Sequence, residues 1–68
     1  MKINKQKLYI AMANACLNMD DLAAKAKVSR VSLTQYSSGT TEPRTKTLGK
    51  IAKALNVPVE QLIDLESD

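Results

Sequence analysis

The sequence predicts an all-α fold, a single compact domain of five short helices within its 68 residues. Apolar residues recur three and four positions apart in successive segments, as they do on one face of an α-helix. The connections between those segments are short, as in compact helical domains. The stretch VSLTQY at 31–36 does alternate like a half-exposed strand, but no other segment alternates with it. Because a lone strand leaves its backbone groups unpaired, we expect a helix there.

The first two helices are predicted over residues 5–15 and 19–26. The first has apolar residues at helical spacing: Leu8, Ala11, Met12 and Ala15. The second follows Asn18, whose side chain can accept hydrogen bonds from the first-turn amides, and Asp21 stands three residues later as in a capping box. Its narrow apolar stripe is made mostly of small residues, which allow another helix to approach closely: Leu22, Ala23 and Ala26.

The third helix is predicted over residues 30–37. Ser29 is a suitable residue to cap its start, and Gly39 can end it in a left-handed conformation. Leu33, Tyr36 and Ser37 fall on the inward side, and most of the other side chains are polar and fall outward. The segment is therefore expected to have a narrow apolar contact and a broad polar face.

The last two helices are predicted over residues 45–57 and 58–66. Pro43 excludes a continuous helix from the third to the fourth. The fourth has the strongest apolar periodicity of the chain: Leu48, Ile51, Ala52 and Leu55. The fifth begins with Pro58, a residue that suits a helix start.

Charge is distributed unevenly along the chain. Residues 1–58 hold all ten Lys and Arg against three acidic residues, a net charge of +7. Residues 59–68 hold four acidic residues and no basic one, a net charge of −4. A basic body favours a polyanionic partner. Charge alone is equally compatible with a solubilising surface.

Several classes of protein are not predicted. One cysteine and no histidine exclude an internal disulfide and disfavour a zinc site. No nucleophile–base pair and no glycine-rich phosphate loop is evident, so neither an enzyme nor a cofactor is expected. No run of about 20 apolar residues is present. The basic-then-apolar start resembles a secretion signal only superficially, since Asn14 and Asn18 interrupt it, and a cytoplasmic protein is expected.

The segment MDDLAAKAKVSRVSLTQYSSG resembles the helix-turn-helix of the phage repressor/Cro-like (XRE) family, a lambda repressor-like DNA-binding domain. The matching residues have the family's order and spacing: Leu22, Ala23, Val28, Ser29, Leu33 and Gly39. The segment TLGKIAKALNVPVEQLID is similar to the family's fourth and fifth helices. The resemblance implies that residues 19–37 form the motif and that its second helix enters the major groove of double-stranded DNA.

The resemblance also implies two sets of DNA contacts. The residues expected to contact base edges lie at the start and on the outer face of the third helix: Arg30, Val31, Ser32, Thr34 and Gln35. Arginine pairs well with guanine and glutamine with adenine, and a valine can touch a thymine methyl group. Phosphate contacts are expected from four residues. Met19 would contribute its backbone amide, and the others would contribute their side chains: Ser38, Thr40 and Arg44. An ordinary solvated polar face is the alternative for this helix.

The chain departs from the family at several positions. Met19 replaces a usual phosphate-binding glutamine. Lys27 and Cys16 replace glycines, so we expect a strained left-handed Lys27 and a small, buried or half-buried Cys16. Met12 and Ser37 replace an Arg–Glu ion pair, and losing both partners together can be nearly neutral. Met12 is therefore expected to pack against the third helix near Ser37.

The resulting hypothesis is a sequence-specific transcriptional regulator, a repressor that binds a pseudo-palindromic operator as a homodimer. The expected dimer contact comprises apolar residues around the last connection: Val57, Val59, Leu62 and Leu65. These residues could instead close the core of a monomer. The alternative function is a protein-interaction module, such as an antitoxin or a partner of a mobile-element protein.

Overall fold

The computed structural model describes residues 2–64, which fold into four α-helices around one core. They are α1 (Lys5–Ala15), α2 (Met19–Ala26), α3 (Arg30–Ser38) and α4 (Thr45–Leu55), followed by a single 3-10 turn, Val59–Gln61. The described residues form no strand, only an isolated antiparallel bridge between Ile3 and Ile63. The all-α prediction is confirmed, and the alternating stretch at 31–36 is helical.

The predicted fifth helix is wrong in the part that the structure describes. The chain after Pro58 makes only the 3-10 turn, and residues 65 and 66 lie outside the described range. Leu62 and Ile63 are buried against the start of the chain, where the Asn4 amide donates to the Leu62 carbonyl over 2.8 Å. Residues 62 and 63 therefore pair with residues 3 and 4 instead of continuing the 3-10 turn as a helix.

The core is a single cluster of side chains from every helix, in which α2 packs against both α3 and α4. Six large side chains are almost fully buried: Leu8, Leu22, Leu33, Leu48, Ile51 and Leu62. Buried alanines at the α2 positions Ala23 and Ala26 let the neighbouring helices approach closely. Most of the inward residues predicted from helical spacing are buried in this core, whereas Ala15 and Tyr36 are half-buried against it.

The helix starts are set by side-chain caps. The predicted capping box is present: Asn18 Oδ1 accepts from the Asp21 amide over 2.8 Å, and the Asn18 amide donates to Asp21 Oδ2 over 3.3 Å. Ser29 Oγ accepts from the Ser32 amide over 3.0 Å at the start of α3. Arg44 precedes α4 without any side-chain cap. Three of the four helices, α1 to α3, thus begin with a side-chain hydrogen bond.

All four helices end at a residue with left-handed backbone geometry, and only one of those residues is a glycine. The φ angles are 58° at Cys16, 59° at Lys27, 84° at Gly39 and 59° at Asn56. The strained conformation predicted for Lys27 is confirmed, as is the end of α3 at Gly39. In each case the following amide bonds back to a carbonyl five residues earlier, which satisfies free groups of the helix end.

The residue after each of the three non-glycine ends is a half-buried apolar side chain that packs on the core: Leu17, Val28 and Val57. This burial offsets the strain of the preceding residue. Cys16, in contrast, is exposed, so the expectation that it would be buried or half-buried is wrong. At the chain reversal it is Leu17 that packs on the core, whereas Cys16 stays in solvent.

Met12 and Ser37 are both buried, and α1 packs against α3. The Ser37 hydroxyl donates to the Thr34 carbonyl over 2.9 Å, so the position carries no unsatisfied polar group. Neither position therefore needs a charged partner, while direct contact between these two side chains stays a prediction. Within residues 2–64, no helix is both long and apolar enough to cross a membrane.

Candidate nucleic-acid interface

The outer face of α3 carries the five side chains predicted to contact bases. Four of them are exposed and Ser32 is half-buried: Arg30, Val31, Ser32, Thr34 and Gln35. Val31 is 67% exposed, the largest value for a bulky apolar side chain in the described chain. Leu33, on the opposite side, is fully buried and fixes the rotation of the helix. The structure therefore brings these residues together on one accessible surface.

The first turn of α3 is held by two hydrogen bonds from Ser29. Its hydroxyl oxygen accepts from the Ser32 amide, and its proton is donated to Ser32 Oγ over 2.8 Å. The Ser32 hydroxyl accepts this bond, so its own proton remains available to an outside acceptor. The cap thus orders a predicted base-contacting group as well as the helix start.

Arg30 makes an ion pair that sequence reasoning did not find. Its Nη1 lies 2.9 Å from Oδ1 of Asp20, in the first turn of α2. The pair joins the two helices of the predicted motif, and both side chains are more than half exposed. Asp20 and Arg30 are ten positions apart and lie on different helices, so the spacing of residues within one helix does not predict their contact. Asp20 suits the positive end of the α2 dipole by itself, and that role gives no sign of a partner in α3.

Two of the predicted phosphate-contacting residues, Ser38 in the last turn of α3 and Thr40 just after it, lie side by side. The Ser38 and Thr40 hydroxyl oxygens are 2.9 Å apart, and the Ser38 hydroxyl also bonds to the Gln35 carbonyl over 3.1 Å. The Thr40 amide donates to that same carbonyl over 3.0 Å. The tight exit from α3 therefore places two hydroxyls side by side on the surface.

The other two predicted phosphate contacts lie on different elements. Met19 is half-buried with its side chain against the core, and its amide lies at the positive end of α2 outside the cap hydrogen bond. Arg44 is exposed directly before α4, after a buried Pro43 that fixes the chain to the body. No described hydrogen bond links the Arg44 side chain to Ser38 or Thr40.

The predicted dimer residues have different environments. Leu62 is fully buried in the monomer core, so its assignment to a dimer surface is corrected: the alternative given for it, closing the core, holds. Leu65 lies outside the described residues. Val57 and Val59 are half-buried on the surface of the core. Sequence reasoning missed the exposure of Ile10, at 62%, although its polar neighbours in the first helix were a signal.

The described residues contain no group of His, Cys, Asp and Glu side chains suited to holding a metal ion. A shallow groove between the ends of α2 and α4 is bordered by four lysines, Lys25, Lys27, Lys50 and Lys53. Two of them stand in the last turn of their helix, where positive charge complements the helix dipole. Lys25 and Lys53 therefore have a structural role at the helix ends, and their charge does not by itself indicate a bound ligand.

Residues 17–62, which include all of α2, α3 and α4, match a protein-family model described as helix-turn-helix. The chain belongs to the XRE-type helix-turn-helix family. A similar protein of Methanocaldococcus jannaschii (strain ATCC 43067) is named an uncharacterized HTH-type transcriptional regulator. It is 38% identical over 65 residues, which cover 96% of each chain. The matched residues include α2 and α3, the two helices that the sequence predicts as the helix-turn-helix, and membership of the family supports a DNA-binding regulator.

Proposed function

We propose that this helix-turn-helix protein is a sequence-specific repressor that binds a pseudo-palindromic operator as a homodimer, with α3 in the major groove. The observation that carries the proposal is the outer face of α3. It presents an arginine, a glutamine, two hydroxyls and an exposed valine on a helix whose opposite side is anchored by Leu33. These groups match the hydrogen-bonding and methyl features of base edges.

The proposed phosphate contacts flank that face. The Thr40 hydroxyl can donate its proton to a phosphate oxygen, and the Ser38 hydroxyl can do so when its proton turns away from the Gln35 carbonyl. The Met19 amide adds a donor at a helix N-terminus. Arg44 supplies an exposed positive charge directly after the buried Pro43. Such contacts set the position of the protein on DNA without reading sequence.

The proposed dimer contact is smaller than the sequence predicted. With Leu62 in the core, the described surface offers Val57 and Val59, and Leu65 stays a prediction. One α3 makes few base contacts, so two copies on repeated half-sites would raise both affinity and discrimination. The protein is further proposed to be a non-enzymatic, cytoplasmic regulator that needs no cofactor.

The proposal is tested by selecting preferred sequences from a pool of random duplexes, then measuring affinity for the selected site at several salt concentrations. We expect a two-fold symmetric consensus and an affinity that falls steeply with salt, since each phosphate contact adds about −0.9 to the slope of log K against log salt. Size measurement with the selected duplex should give two chains per site. On a promoter that contains the site, transcription should fall.

Two variants separate the two kinds of contact. Arg44→Ala should weaken binding to all sequences alike and make the salt slope shallower by about 1, whereas Gln35→Ala should relax the choice of one base pair. Absence of binding even at about 50 mM salt would reject the proposal and favour a protein partner.

A further inference from the structure

Asp20 stands where a carboxylate is least expected on a DNA-binding surface. It lies in the first turn of α2, adjacent to the Met19 amide that is proposed to meet a phosphate, and its side chain is 71% exposed. A carboxylate near the phosphate backbone repels it, so Asp20 weakens general attraction to DNA. The positive end of the α2 dipole favours a carboxylate at this position, but that interaction requires no contact with Arg30.

Asp20 and Asp21 both suit the positive N-terminal end of α2, but only Asp21 also caps the helix. Asp21 receives the Asn18 amide in the capping box. The described contact of the Asp20 side chain is the 2.9 Å ion pair with Arg30. This distance is much shorter than the 3.7 Å between Lys7 Nζ and Asp64, another exposed pair.

Stability does not explain the pair. Arg30 is 59% exposed and Asp20 71% exposed, and exposed ion pairs contribute little to folding because solvent screens them and two long side chains must be ordered. The pair does place the Arg30 guanidinium, at the first position of α3, beside the first turn of α2. The carboxylate bonds one terminal nitrogen, so the other donors of the planar guanidinium remain free.

We propose that Asp20 is a specificity-determining residue: it holds the Arg30 guanidinium in a fixed direction, so that its free donors face one base pair, preferably a guanine. This inference rests on the proposed function. Holding the side chain before binding removes part of the ordering cost at the matched base, an effect of roughly threefold to tenfold in affinity. The same carboxylate lowers the attraction to unmatched DNA, so both effects increase discrimination.

The test compares Asp20→Asn with Asp21→Asn, a matched change of the same charge at the adjacent position. First, Arg30→Ala identifies the base pair that Arg30 reads, by affinities for the selected site and its single-base variants. Asp20→Asn should then reduce discrimination at that base pair by roughly threefold to tenfold and raise affinity for unrelated DNA. Asp21→Asn should raise affinity for unrelated DNA and leave discrimination at that base pair unchanged.

The double variant Asp20→Asn/Arg30→Ala decides whether Asp20 acts through Arg30. In the Arg30→Ala background, Asp20→Asn should cause no further loss of discrimination. The inference is overturned if Asp20→Asn leaves discrimination intact, if Asp21→Asn reduces it equally, or if Arg30→Ala alters no base preference. A wild-type chain that selects no sequence overturns the proposed function itself, and is thereby distinguished from these outcomes.

Discussion

Helices α3 and α4 follow one another in the chain but are stabilised in different ways. Five of the 11 residues of α4 are buried, whereas α3 buries only Leu33 and Ser37 among its nine. The ends of the two helices differ in the opposite direction, because those of α3 are better capped. α3 starts at the Ser29 cap and ends at a glycine, while Arg44 gives α4 no side-chain cap and its left-handed end residue is Asn56. Burial therefore stabilises α4, whereas α3 depends on one fully buried leucine, the half-buried Tyr36 and two well-formed ends.

The difference teaches how a helix can keep a polar outer face. Stabilising α3 by burial would require more apolar residues and so a wider contact with the core. Caps act on the backbone at the ends and use none of the lateral surface. The outer face of α3 is thus free to carry residues chosen for another purpose.

The largest effect is expected from truncating the anchor of α3. Leu33→Ala should lower the free energy of unfolding by about 3 kcal/mol, since a fully buried leucine leaves a cavity. Ile51→Ala in α4 should cost a similar amount. Urea titration followed by circular dichroism measures both losses, which are a large part of the stability of a small domain.

Amide hydrogen exchange sharpens that comparison. In Leu33→Ala the amides of α3 should lose protection before those of α4, because no other large side chain of α3 is fully buried. In Ile51→Ala the four other buried residues of α4 should keep its protection close to the global value. Equal behaviour of the two helices would show that α3 does not depend on one side chain.

The cap of α3 is the next largest effect. Ser29→Ala removes the acceptor for the Ser32 amide and should cost about 1 kcal/mol. Arg44→Ala is the matched change before α4 and should alter stability by less than about 0.5 kcal/mol, since no cap bond is lost. Ser29→Thr, which keeps the hydroxyl, should restore most of the loss. A cost at Arg44 as large as at Ser29 would contradict the comparison.

The four α-helices were predictable because their signals are local. Spacing of apolar residues and the Asn18 and Ser29 caps place α1, α2 and α3 within one residue of their observed bounds. The structure after Pro58, where a fifth helix was predicted, could not be predicted from local signals. Leu62 and Ile63 pair with residues at the other end of the chain. The Asp20–Arg30 pair is nonlocal in the same sense. Exposure of the α3 face followed from the periodicity, while its use in reading DNA stays a prediction.

Substitutions at two helix ends, Gly39 and Lys27, should change the free energy of unfolding by smaller amounts and in opposite directions. Gly39→Ala should destabilise by about 1 kcal/mol through its left-handed φ of 84° alone, because an added Cβ would meet nothing within 4 Å. Lys27→Gly relieves the same kind of strain and should stabilise by up to about 1 kcal/mol, partly offset by the greater entropy of glycine in the unfolded chain. Thermal and urea unfolding of both variants measure the signs. Stabilisation by Gly39→Ala would mean that strain does not govern these ends.

The smallest effect on stability is expected on the outer face of α3, at Gln35. Its side chain is exposed and makes no described hydrogen bond, so Gln35→Ala should change the free energy of unfolding by less than about 0.5 kcal/mol. Discrimination at one base pair should nevertheless fall by about 1–3 kcal/mol, since a glutamine pairing with adenine loses both of its hydrogen bonds. Denaturation and competition binding on the same sample separate the two quantities. Loss of stability with unchanged base preference would place Gln35 among the residues that hold the helix, and the division of α3 into an anchored side and a reading side would fail.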